Sequence, residues 1–408
     1  MPHFQKLDAT VARIWRDAPT GRRNVMVPQP LMAAPGKKGR FLAESQAGLT
    51  RYYARSGAIT VIEGAHTGQF ARGDLDLYRD WMQVSNDVLR DYVAREEMFM
   101  MSAVGGPKAL QMAELAAEQG RKMVMVAPSA FTGGETGVLQ DVSGALDKLG
   151  AIAEVIPVYG FYLQPALSNI ILPKGLWQGM FEFAYGAKAA PFHRGYTNVV
   201  MQAALESDRL SELVMSTGND DYIVGDFIQR WGNAPSNVQM QYGLLGHFAA
   251  DTESANGLVA VLKWYRDQPD VPNVVSPEIG TAKFPDLDFT AVMRHFKNDT
   301  NHPAYAFAEK AVQHGIRKIS IVELAADVTS MNRALFDDMD LPGSPPFDNS
   351  VYGVQWRLAQ LGVVPSSFGI HWPAFGDRLE VGRPGLEKEI SNAYAMRPYL
   401  CDRPVTGQ

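Results

Sequence analysis

The feature that most constrains the fold of this chain is a regular alternation of short apolar runs with longer amphipathic stretches. The apolar runs have the length of buried β-strands and lie at residues 24–28, 58–63, 98–104, 122–127, 153–161, 184–190, 212–217 and 240–246. Stretches between them carry apolar residues at helical spacing, as at 75–93, 107–119, 137–149 and 198–210. Such alternation is typical of parallel βαβ units. Eight units in succession predict a closed (β/α)8 TIM barrel, with a doubly wound open sheet as the alternative.

The pattern changes near residue 266. Residues 268–288 are rich in proline and aspartate, which predicts a connecting loop with little regular structure. Helical patterns follow at 302–314, 322–338, 351–361 and 384–394. We therefore expect an N-terminal arm over residues 1–23, the barrel over 24–265, and a mostly helical C-terminal extension over 266–408.

Composition narrows the classes of partner. The chain has 408 residues, of which 46% are hydrophobic and 20% charged, with a formal net charge of -6, as in an ordinary soluble globular protein. No dense Lys/Arg run indicates binding to nucleic acid or to a membrane surface. No apolar run reaches the roughly 18 residues of a transmembrane helix. With Cys401 as the single cysteine and no signal-peptide pattern, we expect a cytoplasmic protein.

Lys188 is the candidate catalytic residue. It lies in an apolar run at 183–192 that reads as a buried strand, and burial of a lysine lowers its pKa because the charged form loses its hydration. A neutral lysine amine is a nucleophile that forms Schiff bases with carbonyl substrates. The structural alternative is a lysine at a strand end whose ammonium reaches water.

Further candidates follow other predicted strands, whose carboxyl ends meet at one face of a barrel, where active sites lie. Tyr162 and His66 are candidates for proton transfer. The candidates for substrate binding are Thr67, Gly68, Asn219, Asp220, Leu245 and His247. We expect no metal site, because no His/Cys/Glu cluster has metal-ligand spacing.

Each candidate also has a structural interpretation. A tyrosine beside a strand commonly belongs to the core with its hydroxyl hydrogen-bonded. Thr67 could only shape a turn, whereas its functional role would be to hold a carboxylate together with neighbouring backbone N–H groups. His66 and His247 could be structural, and the segment 219–221 could cap the helix that follows.

These motifs resemble those of the dihydrodipicolinate synthase / N-acetylneuraminate lyase family of Schiff-base (β/α)8 enzymes. Tyr-Leu-Gln-Pro at 162–165 is similar to the family's Tyr-Asn-x-Pro, which supplies a proton-transfer tyrosine. Gly-Ala-Lys at 186–188 is similar to Gly-Ile-Lys, which supplies the imine-forming lysine. Segment 65–69 matches in part the Gly-Thr-Thr-Gly-Glu that holds the pyruvate carboxylate, and 217–221 with 243–245 resemble the family's strand 7 and strand 8 segments.

The departures from the family's pattern bear on the reaction. His66 replaces the first threonine of a hydroxyl relay, Pro-Ser-Ala at 128–130 replaces Pro-Tyr-Tyr, and Gln69 replaces a glutamate. Leu167 falls where the synthases place an arginine that binds the second substrate's carboxylate. These changes argue against the lysine-biosynthesis condensation itself and indicate a less acidic or more apolar second substrate. His66 or His247 could stand in for the relay.

The resemblance implies a class I aldolase or related lyase that acts on a 2-oxo acid such as pyruvate, and possibly an aldehyde. The reaction would run through a Lys188 imine, without a further cofactor. The alternatives are a Schiff-base hydro-lyase (dehydratase) of a sugar-acid-like oxo acid, a non-catalytic metabolite-binding barrel, and a metal-dependent barrel enzyme. Family members are mostly dimers or tetramers, so the resemblance also implies a homodimer or homotetramer.

Overall fold

Eight parallel strands form the central sheet of the computed structural model, which describes residues 3–17, 21–34, 40–69, 73–163, 165–233, 236–243, 246–272, 283–336, 348–366 and 385–403. The strands are β1 (Val25–Pro28), β2 (Ala58–Glu63), β3 (Met101–Val104), β4 (Met123–Val126), β5 (Val158–Leu163), β6 (Gly186–Ala190), β7 (Val214–Thr217) and β8 (Met240–Gly243). Each pairs in parallel with the next along the chain, and β8 returns to the side of β1. This sequential order confirms the (β/α)8 TIM barrel, because a doubly wound sheet reverses its strand order at a switch point.

Helices surround the barrel and continue into the C-terminal extension. They are α1 (Ala9–Asp17), α2 (Ala43–Arg55), α3 (Leu75–Ala94), α4 (Ala109–Glu118), α5 (Val142–Val155), α6 (Pro165–Ser168), α7 (Lys174–Phe181), α8 (Arg194–Leu205), α9 (Ile223–Ile228), α10 (Thr252–Arg266), α11 (Phe289–His295), α12 (Pro303–Gln313), α13 (Ile321–Phe336), α14 (Asp348–Gln360) and α15 (Leu386–Met396). Helices α11 to α15 form the expected helical extension. None of the helices in the described ranges is both long and apolar enough to cross a bilayer.

Several predicted boundaries differ from those of the structure, and two of them lie at the ends of α5. The side chain of Asp141 accepts the N–H of Gly144 (2.9 Å) and starts the helix at Val142, later than the predicted start at 137. Residues 137–138 instead form a short strand with Ile170–Ile171. The predicted strand at 153–161 begins only at Val158, because 153–155 complete the helix. A short apolar run is compatible with both helical and strand periodicity, so the flanking residues determine which of the two elements forms.

Helix α1 closes the N-terminal end of the barrel. Trp15 is fully buried, and its ring contacts those of Phe99, Tyr159 and Tyr242 at centroid distances of 5.3, 5.3 and 4.8 Å. The Tyr242 hydroxyl donates to the Trp15 carbonyl (2.9 Å). Helix α1 thus packs its tryptophan into the interior of the barrel.

A buried ion pair fastens the extension to the opposite end of the barrel. Arg357 on α14 donates from Nε and Nη2 to the two carboxylate oxygens of Asp251 (2.9 and 2.7 Å), and both side chains are fully buried. Gln355 on the same helix donates to the carbonyl of Leu31 (3.1 Å). These contacts tie α14 to the segments that follow β8 and β1.

We predict that Arg357→Met destabilises the protein by about 3–5 kcal/mol, because it leaves the carboxylate of Asp251 buried without its counter-charge. Urea denaturation followed by circular dichroism measures this change. Arg79→Met is the control, since the Arg79–Asp76 pair lies at the surface and such pairs contribute little. Equal midpoints for the two variants would contradict the prediction.

Candidate active site

Lys188 lies inside the barrel on β6. It pairs with Phe161 of β5 and Ser216 of β7, and its Nζ lies over the Phe161 ring, 5.4 Å from the centroid. Its side chain is buried, with 1% exposed. Gly186 opens the strand with φ +129°, and a Cβ there would lie 1.8 Å from the Val214 carbonyl oxygen. Only glycine therefore allows this start of β6.

Burial changes the acidity of the Lys188 ammonium. Desolvation lowers its pKa from 10.5 to about 8, and the negative charge of Asp220 opposes this effect in part. A much larger fraction of the amine is then neutral near pH 7 than for an exposed lysine. The site therefore supplies a nucleophilic amine under ordinary conditions.

His66 and Asp220 lie within electrostatic reach of Lys188. Both are buried at the carboxyl ends of β2 and β7. Burial, and to a smaller extent the charge of Lys188, lowers the pKa of His66 to about 4. Its imidazole is consequently neutral at pH 7, with one ring nitrogen able to accept a proton and the other able to donate one. The structure thus brings together three predicted residues: a nucleophile, a neutral base and a carboxylate.

Gly218 makes room for the lysine side chain. A Cβ at this position would lie 2.6 Å from the Cε of Lys188 and 2.8 Å from the Cβ of Ala190. The aliphatic part of Lys188 therefore passes directly across the backbone of Gly218. A side chain at 218 would displace the amine from its place between β5 and β7.

The structure does not place Tyr162 beside Lys188. Successive strand residues face opposite sides of a sheet, so Tyr162 faces away from the interior that Phe161 and Lys188 share. Its ring packs on Trp177 and Tyr196, at centroid distances of 5.5 and 6.1 Å. Its hydroxyl accepts the N–H of Leu172 (3.1 Å), and burial raises its pKa to about 12. The residue beside Lys188 on β5 is Phe161, which has no proton to transfer.

Thr67 and Gly68 form a tightly packed turn after β2. The Thr67 hydroxyl donates to the carbonyl of Pro28 (2.8 Å). A Cβ on Gly68 would lie 2.8 Å from the ring of Trp81 and 3.0 Å from the Gln29 carbonyl oxygen. The only proton of the Thr67 hydroxyl is thus bonded to the backbone of β1, so the predicted use of this hydroxyl to hold a carboxylate is not supported.

Asn219 connects the loops that follow β6 and β7. Its amide nitrogen donates to Thr197 Oγ1 (3.1 Å) and Asp226 Oδ2 (3.0 Å), and its carbonyl oxygen accepts the N–H of Phe192 (3.0 Å). Both amide protons are thus used in hydrogen bonds within the fold. Leu245 lies outside the described residues, and the side chain of His247 likewise.

Asp226 is a further residue next to the candidate site that the sequence did not indicate. This buried carboxylate on α9 accepts from the Thr217 hydroxyl (2.5 Å) and from Asn219 (3.0 Å), and it pairs with Arg194. It holds the loop that carries Asp220. No local pattern could have revealed it, because its partners come from β7, its loop and α8.

Among the described residues, no group of three or more His, Cys, Asp or Glu is arranged to hold a metal ion.

We predict that Gly218→Ala strongly slows the modification of Lys188 by an amine-specific reagent, because the added methyl displaces the Lys188 side chain. Peptide mass spectrometry measures the rate. Gly175→Ala is the control: Gly175 lies in α7 with open space at its Cβ position, and alanine favours a helix. An unchanged Lys188 rate in Gly218→Ala would show that the site tolerates a side chain there.

No protein-family model and no curated protein sequence matches this chain. Solved structures, in contrast, are similar to it. A chloride-inhibited dihydrodipicolinate synthase from Acinetobacter baumannii complexed with pyruvate has a TM-score of 0.59 and 12% identity, over 91% of this chain and 98% of that one. The dihydrodipicolinate synthase of Oceanobacillus iheyensis has 0.59 and 11%, over 92% and 96%. YagE, a prophage protein of this family from E. coli K12 in complex with pyruvate, has 0.56 and 11%, over 93% and 99%.

These identities are low, whereas coverage is nearly complete for both chains in each comparison. The comparisons therefore concern the architecture as a whole and not a shared fragment. The comparisons show that this chain shares the fold of dihydrodipicolinate synthase-family barrels.

Proposed function

We propose that this protein is a Schiff-base-forming (class I) lyase that acts on a 2-oxo acid such as pyruvate and makes or breaks a C–C bond. The observation that carries the proposal is a buried lysine of lowered pKa, inside the barrel on β6, beside a neutral imidazole and a carboxylate. In barrels of this type, chemistry takes place at the carboxyl ends of the strands. Two structures with the same fold are described as complexes with pyruvate.

The first step is attack of the neutral Nζ of Lys188 on the oxo carbon, which gives a carbinolamine and then, with loss of water, an iminium ion. His66 supplies and removes protons, since its neutral ring can do both. The Phe161 ring lies 5.4 Å from Nζ and stabilises the cationic iminium through a cation–π interaction. The iminium withdraws electrons from the adjacent carbon, and loss of a proton or of an aldehyde there gives an enamine.

A Schiff-base hydro-lyase acting on a sugar-acid-like oxo acid is the second candidate. The same Lys188 iminium would acidify the adjacent C–H bond, and the resulting enamine would expel hydroxide. Product analysis separates the two reactions, because aldol cleavage yields two carbonyl compounds and dehydration yields one.

The homo-oligomeric state and the cytoplasmic location remain predictions.

We predict that pyruvate and borohydride give a covalent adduct on the wild-type protein, detected by intact mass, and that Lys188→Ala abolishes it. Lys263→Ala is the matched control. Burial also lowers the pKa of Lys263, to about 7, but its Nζ lies over the ring of Tyr242 and bonds to Asn24 at the other end of the barrel. An adduct that persists in Lys188→Ala and disappears in Lys263→Ala would contradict the assignment.

We predict that the rate of adduct formation rises with pH around a midpoint of about 8, because the neutral amine is the nucleophile. Asp220→Asn moves the midpoint to lower pH, since it removes a negative charge that favours the ammonium. His66→Gln slows the reaction and leaves the midpoint nearly unchanged, since His66 is already neutral in this range. Rates measured by quenched mass spectrometry test this, and a midpoint near 10.5 would refute a desolvated nucleophile.

A further inference from the structure

The extension reaches the candidate active site through helix α13. The amide nitrogen of Asn332 donates to the backbone carbonyl of Asp220 (3.0 Å). Thr329 donates its hydroxyl to the carbonyl of Asp221 (3.0 Å). Residues three apart lie on the same face of a helix, so one face of α13 bonds to two consecutive peptide groups of the loop after β7.

These bonds act on the loop that faces Lys188. On the barrel side the loop is held by Asn219 and Asp226, which bond to each other and to β7. Asn332 and Thr329 hold it from the side of the extension. The backbone of Asp220 is therefore fixed from two directions by elements more than a hundred residues apart in sequence.

The position of α13 is itself well defined. Arg397 and Tyr399 both donate to the carboxylate of Asp327 on this helix (2.7 and 2.8 Å). The helix also packs on α9 and on the turn Gly246–Ala249 that follows β8. A helix held in this way can impose its geometry on the loop it contacts.

Asn332 is an unusual choice for this place unless it bonds to the loop. Its side chain is 1% exposed, asparagine is a poor helix former, and a buried amide is costly unless it is hydrogen-bonded. An apolar residue would satisfy packing alone. The amide nitrogen donates to the carbonyl of Asp220 (3.0 Å) and, over a longer distance, to the Val328 carbonyl of its own helix (3.3 Å), so the loop accepts the shorter of the two bonds.

We propose that Asn332 is a positioning residue of the active site: it fixes the backbone of Asp220 so that the carboxylate faces Lys188, and the C-terminal extension thereby completes the catalytic centre. The inference rests on the proposed function and assigns a role to the extension. The titratable groups that face Lys188 within the described part of the chain are Asp220 and His66. Of these, Asn332 acts on Asp220.

The test compares the pH dependence of Lys188 reactivity in Asn332→Ala with that in Ser330→Ala. Ser330 lies on the same helix, and its hydroxyl donates only to the carbonyl of Ala326 (2.7 Å). We expect Asn332→Ala to lower the midpoint in the direction of Asp220→Asn, because the carboxylate moves away from the amine. We also expect the plateau rate with pyruvate to fall by about 10- to 100-fold, as for a displaced catalytic group. Ser330→Ala should match the wild type.

A double variant separates positioning from general loosening. In Asn332→Ala/Asp220→Asn the midpoint should equal that of Asp220→Asn alone, since the charge that Asn332 positions is already gone. Additive shifts, or a wild-type midpoint in Asn332→Ala, would overturn the proposal. If Asn332→Ala does not fold, Thr329→Val removes the neighbouring bond with little change in shape and should shift the midpoint in the same direction.

The two proposals fail in different ways. Midpoints are measured both with pyruvate and with a general amine reagent. A wild-type protein that forms no pyruvate adduct contradicts the 2-oxo acid lyase, while the reagent still reports whether Asn332 controls the environment of Lys188. An adduct with normal midpoints in all Asn332 variants retains the lyase and rejects the positioning role.

Discussion

The burial of one lysine inside the barrel is the constraint on which the rest of the site depends. Parallel pairing of β6 with β5 and β7 sets Lys188 beside Phe161 and Ser216, and alternation along the strand directs its side chain inward. The aliphatic part of the Lys188 side chain then requires a glycine at 218, because a Cβ at this position would lie 2.6 Å from the Cε of Lys188. The amine of Lys188 is therefore desolvated because of the strand register, and not because of the residue type alone.

The electrostatics of the site follow from that burial. An ammonium deprived of water becomes more acidic, and the same exclusion of water keeps His66 neutral. Asp220 partly restores the basicity of the amine, so its distance from Nζ sets the balance between nucleophile and cation. This explains why so many contacts, from Asn219, Asp226 and Asn332, act on one short loop. In the proposed mechanism, this loop sets the reactivity of Lys188.

Phe161 and Tyr162 show how a motif can be similar while its geometry differs. The Tyr-Leu-Gln-Pro segment resembles the family's proton-transfer motif, yet the tyrosine faces α7 and α8. A shift of one residue along a strand exchanges the two faces of the sheet. The interior position therefore carries an aromatic ring without a hydroxyl, and in the proposed reaction His66 is the group assigned to proton transfer.

The sequence by itself determined the barrel, the eight strands and the helical extension, because hydrophobic periodicity reflects which faces are buried. It also predicted that Lys188, His66 and Asp220 lie together, since strand ends meet at one face of a barrel. It could not show on which face of β5 Tyr162 lies, because this depends on the register of the strands. The hydrogen bonds of Thr67 and Asn219 depend on partners elsewhere in the chain and were likewise not predictable. Asp226 and Asn332 were recognised only in the tertiary structure, because they act through contacts between segments that are far apart in the sequence.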